Sequence, residues 1–184
     1  LLEARPVETI DEVISNAKQM LATNRANEAL KSIRSRLETD GSKNYELWSL
    51  CASTLYFLGL NNEALEAIEY AISIGDDRAE THYNHSQILN DIGKIEQSLQ
   101  SISNALISDP EHVNSLIFMG DMKIARNETE EAISFWERAY RISSDEELMI
   151  RIKNAEEDIS KPVDVVESEA VSYTHLTLPT IYSV

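Results

Sequence analysis

The chain repeats itself. Four segments line up: "NEALKSIRSRL" from Asn27, "NEALEAIEYAI" from Asn62, "EQSLQSISNAL" from Glu96 and "EEAISFWERAY" from Glu130. Their starts are 35, 34 and 34 residues apart. A fixed period of this length means that one supersecondary unit is used again and again. Within each segment a small residue (Ala29, Ala64, Ser98, Ala132) is followed by an aliphatic (Leu30, Leu65, Leu99, Ile133). Ile33, Ile68, Ile102 or Trp136 stands four residues beyond the small one, and Ala71, Ala105 and Ala139 follow in three of the four segments, Arg36 being the exception. Spacings of three, four and seven place these residues on one face of a helix.

Five residues before each small residue stands Asn24, Gly59, Gly93 or Asn127. Asn and Gly adopt the left-handed conformation that ends a helix more readily than other residues do. Each period therefore predicts a helix, a tight stop and a second helix. The first helices carry Ala17, Ala52, Ser86 and Gly120 where a neighbour could approach closely. They are flanked by Val13, Trp48, His82 and Leu116, and by Met20, Leu55 and Leu89. Thr9 with Glu12, and Ser144 with Glu147, have capping-box spacing, and Asp109-Pro110 reads as an N-cap followed by Pro at the first helical position. A single helix pair cannot bury its own apolar face, so units of this kind must stack. The expected fold class is all-α: an α-solenoid of antiparallel helix pairs.

The pattern resembles the tetratricopeptide repeat, whose 34-residue unit carries W/L…L-G/A…Y in the first helix and A…F…A…P across the second. Trp48, Cys51-Ala52, Leu55, Ala64, Ile68 and Ala71 match best, and Pro110 ends the third unit where the family's proline belongs. The resemblance implies a right-handed α-solenoid with repeats at about 10–44, 45–78, 79–112 and 113–146, and an extra helix over 145–158. Asn16, His85 and Lys123 depart from it, standing where apolar or aromatic residues are usual. Leu2 and Pro6 are spaced like Leu106 and Pro110, so residues 1–9 read as the end of a preceding repeat. Residues 159–170 are acidic and read as a linker. Residues 171–184 hold no Asp, Glu, Lys or Arg. They resemble the translation of a transposase adapter used to build sequencing libraries, and so read as a non-native tail, with the natural chain expected to continue past Ala170.

In such solenoids the first helix of each pair lines the concave surface, so the resemblance implies a groove there. Its expected peptide-facing residues are Glu46, Ser53, Tyr56 and Phe57 from the second unit, Glu80, Tyr83, Gln87, Asn90 and Asp91 from the third, and Ile117 and Asp121 from the fourth. Asp11, Ile14, Lys18, Leu21, Ser49, Asn114 and Ile124 belong to the same inward face. Aromatic and aliphatic anchors ringed by acids suit a peptide or protein partner with apolar side chains and some Lys or Arg. The competing reading is that Tyr56, Phe57 and Ile124 pack against the next repeat. The clamp that chaperone-adaptor members use for acidic C-terminal peptides would need Lys or Arg where Ile14, Glu80 and Asn84 stand.

Net charge −16 disfavours nucleic acid and anionic membrane surfaces as partners, since both need clustered Lys and Arg. No apolar run approaches the roughly 20 residues of a membrane span. His82 and His85 are spaced to share a metal, but a third and fourth ligand are not evident in the sequence. Cys51 is the single cysteine, and between Trp48 and Leu55 it reads as a small hydrophobe. The Gly93-Lys94 pair lacks the remaining spacing of a phosphate loop. No catalytic residue and no cofactor is expected, and no compartment is assigned beyond a cytoplasmic default. The expected function is a protein–protein interaction module, with assembly into a homo-oligomer also open. The alternative is a substrate-positioning arm ahead of a glycosyltransferase or sulfotransferase domain.

Overall fold

The computed structural model describes residues 8–160, and these form nine helices with no strand. They are α1 (Ile10–Ala22), α2 (Ala26–Leu37), α3 (Tyr45–Phe57), α4 (Asn61–Ser73), α5 (Ala79–Asp91), α6 (Ile95–Ser108), α7 (Val113–Ala125), α8 (Thr129–Ser143) and α9 (Glu146–Ser160). Residues 159 and 160, expected to open the acidic linker, close α9. The rest of that linker, the tail at 171–184 and residues 1–7 lie outside the described residues.

Four helix ends are built alike. Asn24, Gly59, Gly93 and Asn127 have φ of 58°, 76°, 79° and 60°. The residue after each sends its N–H back five positions: Arg25 to Met20 O at 2.8 Å, Leu60 to Leu55 O at 2.9 Å, Lys94 to Leu89 O at 2.8 Å and Glu128 to Lys123 O at 3.0 Å. The left-handed residue itself bonds three positions back, as Gly59 does to Tyr56 O at 2.9 Å. These two bonds satisfy carbonyls that a helix end leaves open and turn the chain within two residues. The period in the sequence is thus a period of stop signals as much as of apolar residues.

Start signals are mixed. Thr9 and Glu12 form the expected capping box: Glu12 N–H donates to Thr9 Oγ1 at 3.2 Å, and Thr9 N–H donates to Glu12 Oε2 at 2.7 Å. Ser144 is not the cap it was expected to be. Its φ of 55° makes it the left-handed C-cap of α8, and Asp145 Oδ1 instead accepts the N–H of Glu147 at 2.9 Å. Asp109-Pro110 does not start a helix either. Asp109 Oδ1 accepts the N–H of Glu111 at 2.9 Å and its carbonyl accepts that of His112 at 3.2 Å, so the segment is a turn and α7 begins at Val113. Both misreadings have one cause: a side chain that can cap one helix can also close the turn before the next.

Packing is tightest within the pairs α1–α2, α3–α4, α5–α6 and α7–α8, and each pair then stacks on the next through its neighbours in sequence. The first helices also touch one another directly, α1 with α3, α3 with α5 and α5 with α7. Ala17, Ala52 and Ser86 are fully buried in their first helices, with Ile33, Ile68 and Ile102 equally buried in the second. The last unit replaces Ile with Trp136 and the small residue with Gly120. A Cβ at Gly120 would lie 2.4 Å from Trp136 Nε1, so the extra volume of the indole is matched by removal of a methyl group. The residues that depart from the repeat find polar partners. Asn16 Nδ2 donates to Glu8 Oε1 at 3.2 Å, His85 Nδ1 meets Ser101 Oγ at 3.0 Å and Lys123 lies 2.7 Å from Glu131.

Candidate functional site

The exposed faces of α1, α3, α5 and α7 are joined by side chains reaching from one repeat to the next. Lys18 Nζ donates to Glu46 Oε1 at 3.2 Å, and Arg78 lies 3.7 Å from the same oxygen. Tyr56 OH donates to Asp91 Oδ2 at 2.7 Å, linking α3 to α5. Asn84 Nδ2 donates to Ser53 Oγ at 3.2 Å, while Ser53 donates to Ser49 O at 3.0 Å. His112 Nε2 and Glu80 Oε2 stand 3.1 Å apart. Such exposed pairs contribute little stability singly; their effect is to fix the positions of Glu46, Glu80 and Asp91 on this face.

Beneath them sits one sealed carboxylate. The Asp76 side chain has 0% exposure. It accepts from Ser49 Oγ of α3, from Thr81 Oγ1 of α5 at 2.8 Å, and from Arg78 Nε and Nη2, each at 2.8 Å. Burial alone would raise its pKa, but the bonds from Arg78, Ser49 and Thr81 outweigh burial and hold it below the ordinary carboxylate value. Charge-assisted bonds of this kind are the stronger ones, so Asp76 locks the register between α3 and α5. Arg78 also lies over the Tyr45 ring, 5.4 Å from its centre. Its role was not read from the sequence, where "DDR" in an inter-repeat turn looks like ordinary solvated charge.

Each candidate now has a place. Glu46 and Ser53 line a cavity of about 220 Å³ with Lys18, Leu50, Arg78, Glu80 and Asn84. Phe57 is 61% exposed at the end of α3. Tyr83 is half-buried, edge-on to Phe118 and His112 at 6.0 and 5.8 Å between ring centres; it serves packing between the third and fourth units as well as the surface. Gln87 and Asn90 are half-buried and Asp91 is exposed. Ile117 packs against the apolar cluster of α7, α8 and α9. Asp121 Oδ1 accepts from Trp136 Nε1 at 3.1 Å and from Arg151 Nη1 at 3.2 Å. Ile14 and Ser49, expected to face inward, are buried instead. Ile14 joins the core because α2 and α3 close over it, and Ser49 is held by Asp76.

Burial shifts several of these groups. It raises Tyr56 to about 12, with Asp91 adding to the effect. Tyr83 is raised by burial and by the charges of Glu80 and Asp121. Asp121 is raised by burial, against the opposing pull of Arg151 and Trp136. Cys51, 3% exposed, is pushed up by burial to about 11, which leaves its thiol protonated and unreactive at neutral pH. His82 and His85 are tied into the packing, His82 to Asp77 Oδ1 at 2.9 Å and His85 to Ser101. Among the described residues no group of three His, Cys, Asp or Glu side chains is placed to hold a metal ion, and no helix is long and apolar enough to cross a membrane.

No protein-family model matches the chain, and no curated protein is similar to it in sequence. Solved structures are similar to it in fold. MamA aligns at TM-score 0.69 with 17% identity over 83% of this chain and 86% of its own. TTC0263, a thermophilic TPR protein of Thermus thermophilus, aligns at 0.67 with 18% identity over 82% of each chain. PilF of Pseudomonas aeruginosa aligns at 0.74 with 16% identity, over 81% of this chain and 68% of its own. The fold is the tetratricopeptide-repeat solenoid.

Proposed function

We propose that the face formed by α1, α3, α5 and α7 binds a segment of a partner protein that presents apolar side chains together with Lys or Arg. The observation that carries this reading is Phe57, left 61% exposed on the stripe that also holds Glu46, Leu50 and Ser53. An aromatic ring open to water at the end of an acidic, cross-linked surface is the kind of anchor on which binding energy concentrates. Carboxylates at its margin would favour basic segments and repel acidic ones.

The test uses labelled, amidated ten-residue peptides with Phe or Leu flanked by either Lys or Glu, followed by fluorescence anisotropy. Lys-flanked peptides should bind, and both Phe57→Ala and Glu46→Lys should weaken binding at least tenfold. The melting temperature of Phe57→Ala should stay within a few degrees, because the ring is largely exposed. Titrations that neither substitution changes would overturn the reading. Tyr83→Ala is a poorer probe, since Tyr83 also packs against Phe118.

A further inference from the structure

On the other side of α3 there is a second and larger recess. Successive helical residues are set about 100° apart, which puts Glu46, Ser49, Leu50 and Ser53 on one side of α3 and Trp48, Cys51 and Leu55 about half a turn away. The first set lines the surface described above. The second forms the floor of a cleft of about 490 Å³ between α2 and α4. Leu37 of α2 and Ala67 and Tyr70 of α4 complete its apolar lining, with Trp48 and Tyr70 edge-on at 4.8 Å between ring centres.

The rim is acidic. Glu38, Glu63 and Glu66 stand around the cleft against a single lining cation, Arg34, which is already paired with Glu63. Glu38 and Glu66 are exposed and make no ion pair among the described residues. An apolar floor with unpaired carboxylates above it matches a side chain that has an apolar body and a cationic end, or an apolar side chain next to a cationic one. An acidic or neutral partner would gain nothing from this rim.

The cleft is also not an automatic product of the repeat. One period later His82, His85 and Leu89 replace Trp48, Cys51 and Leu55, and Asn104 replaces Tyr70. There the recess is smaller, about 240 Å³, and seven of its nine lining residues are polar or charged. At this equivalent position the recess recurs smaller and without the aromatic pair or the three rim carboxylates, so those features come from the cleft's own side chains and not from the repeat.

We infer that the cleft between α2, α3 and α4 is a second protein-binding site, which takes a basic amphipathic segment of a partner: one bulky apolar side chain on Trp48, Leu55 and Tyr70, and an adjacent Lys or Arg on Glu38 and Glu66. The site lies opposite the face proposed for peptide binding and does not depend on it. One solenoid could then hold two segments at once.

The probe is a fluorescein-labelled, amidated twelve-residue peptide with one Trp among Lys and Ser. Two controls replace the Trp with Ala or every Lys with Glu. Anisotropy titrations on the wild-type and Phe57→Ala proteins separate the two faces. The inference expects a saturable phase that persists in the Phe57→Ala protein, beside any phase that this substitution removes, and that both control peptides lose. Ala67→Leu, which fills the cleft from its wall, should weaken binding at least tenfold. Should that variant lose helicity, the surface double variant Glu38→Lys with Glu66→Lys gives the same readout without touching the core. Loss of binding in Phe57→Ala with full retention in the cleft variants would overturn the inference. So would equal binding of the Glu-substituted peptide, or no binding of the Trp–Lys probe at millimolar concentration.

Discussion

The helix pairs α3–α4 and α5–α6 occupy equivalent positions in successive repeats and are held together by different chemistry. In the first, Ala64, Ala67 and Ile68 of α4 meet an α3 that offers Leu50, Cys51, Ala52 and Leu55, all within one apolar cluster. In the second, the residues equivalent to Ala64 and Ala67 are Ser98 and Ser101. Ser98 Oγ donates to Ser86 O at 2.7 Å, and Ser101 Oγ donates to His82 O at 3.0 Å. Both hydroxyls thus bond to carbonyls of the facing helix. The repeat therefore specifies the size of a side chain at these positions, not its polarity. A hydroxyl fits where a methyl group does, provided a carbonyl stands opposite.

The largest effect should come from giving the apolar pair a polar group it cannot satisfy. Ala64 is fully buried and has no counterpart of the hydroxyl–carbonyl bridge made by Ser98. Ala64→Glu should cost about 4 kcal/mol or more, since a buried carboxylate without a partner is among the most destabilising single changes. Because repeats share their interfaces, α5 should lose helicity together with α3 and α4. Circular dichroism through a urea titration measures this directly. Full native helicity would show that the equivalence of positions 64 and 98 has been drawn wrongly.

The polar pair should show its chemistry in its dependence on pH. Since Ser101 gives its proton to His82 O, the contact at Ser101 requires the proton on His85 Nδ1. His85 Nε2 is then left buried without a hydrogen-bond partner. Burial lowers the His85 pKa to about 4, helped by His82 and Lys94; Glu69, 3.9 Å away, does not reverse this. A base whose folded pKa is depressed binds fewer protons folded than unfolded between about pH 6.5 and 4. Stability is thus full above pH 6.5 and falls as the pH drops towards 4. Between pH 7.5 and 5 this one group should remove about 2 kcal/mol. His85→Gln should remove that part of the pH dependence, measured as the difference between the two proteins' urea midpoints at each pH. The apolar pair has Cys51 at this position and contributes nothing comparable.

The sequence disclosed the parts of the fold that recur. Asn24, Gly59, Gly93 and Asn127 were legible as stops because few residues tolerate positive φ, and Ala17, Ala52, Ser86 and Gly120 because their spacing exposes a close approach. What does not recur was harder to read. Ser144 and Asp109 misled because one short polar side chain can cap a helix or close a turn, and geometry alone decides which. On the candidate face, Glu46, Ser53, Phe57, Tyr83 and Asp91 were expected from the sequence, but the links among their neighbours were not. The Tyr56–Asp91 bond spans a whole repeat, and Arg78 acts through Asp76, whose burial no periodicity announces. The cleft over Trp48 was invisible for the same reason: a recess is a relation among three helices, and the sequence shows them one at a time.

The smallest effect is also the closest test of equivalence. Ser101→Ala removes the bond to His82 O and leaves His85 Nδ1 without its acceptor, so it should cost about 1 kcal/mol, with a further loss of the same order if that N–H finds no water. The reciprocal change, Ala67→Ser, places a hydroxyl where the equivalent carbonyl belongs to Trp48. It should cost less than about 1 kcal/mol, because a new bond to Trp48 O offsets the hydroxyl's lost hydration. Paired urea titrations at pH 7.5 measure both, and the asymmetry is the point. If the polar pair uses its hydroxyls as bridges, removing one must hurt more than adding one to the apolar pair. Equal costs would mean that Ser101 merely fills space, and that both helix pairs rest on apolar packing after all.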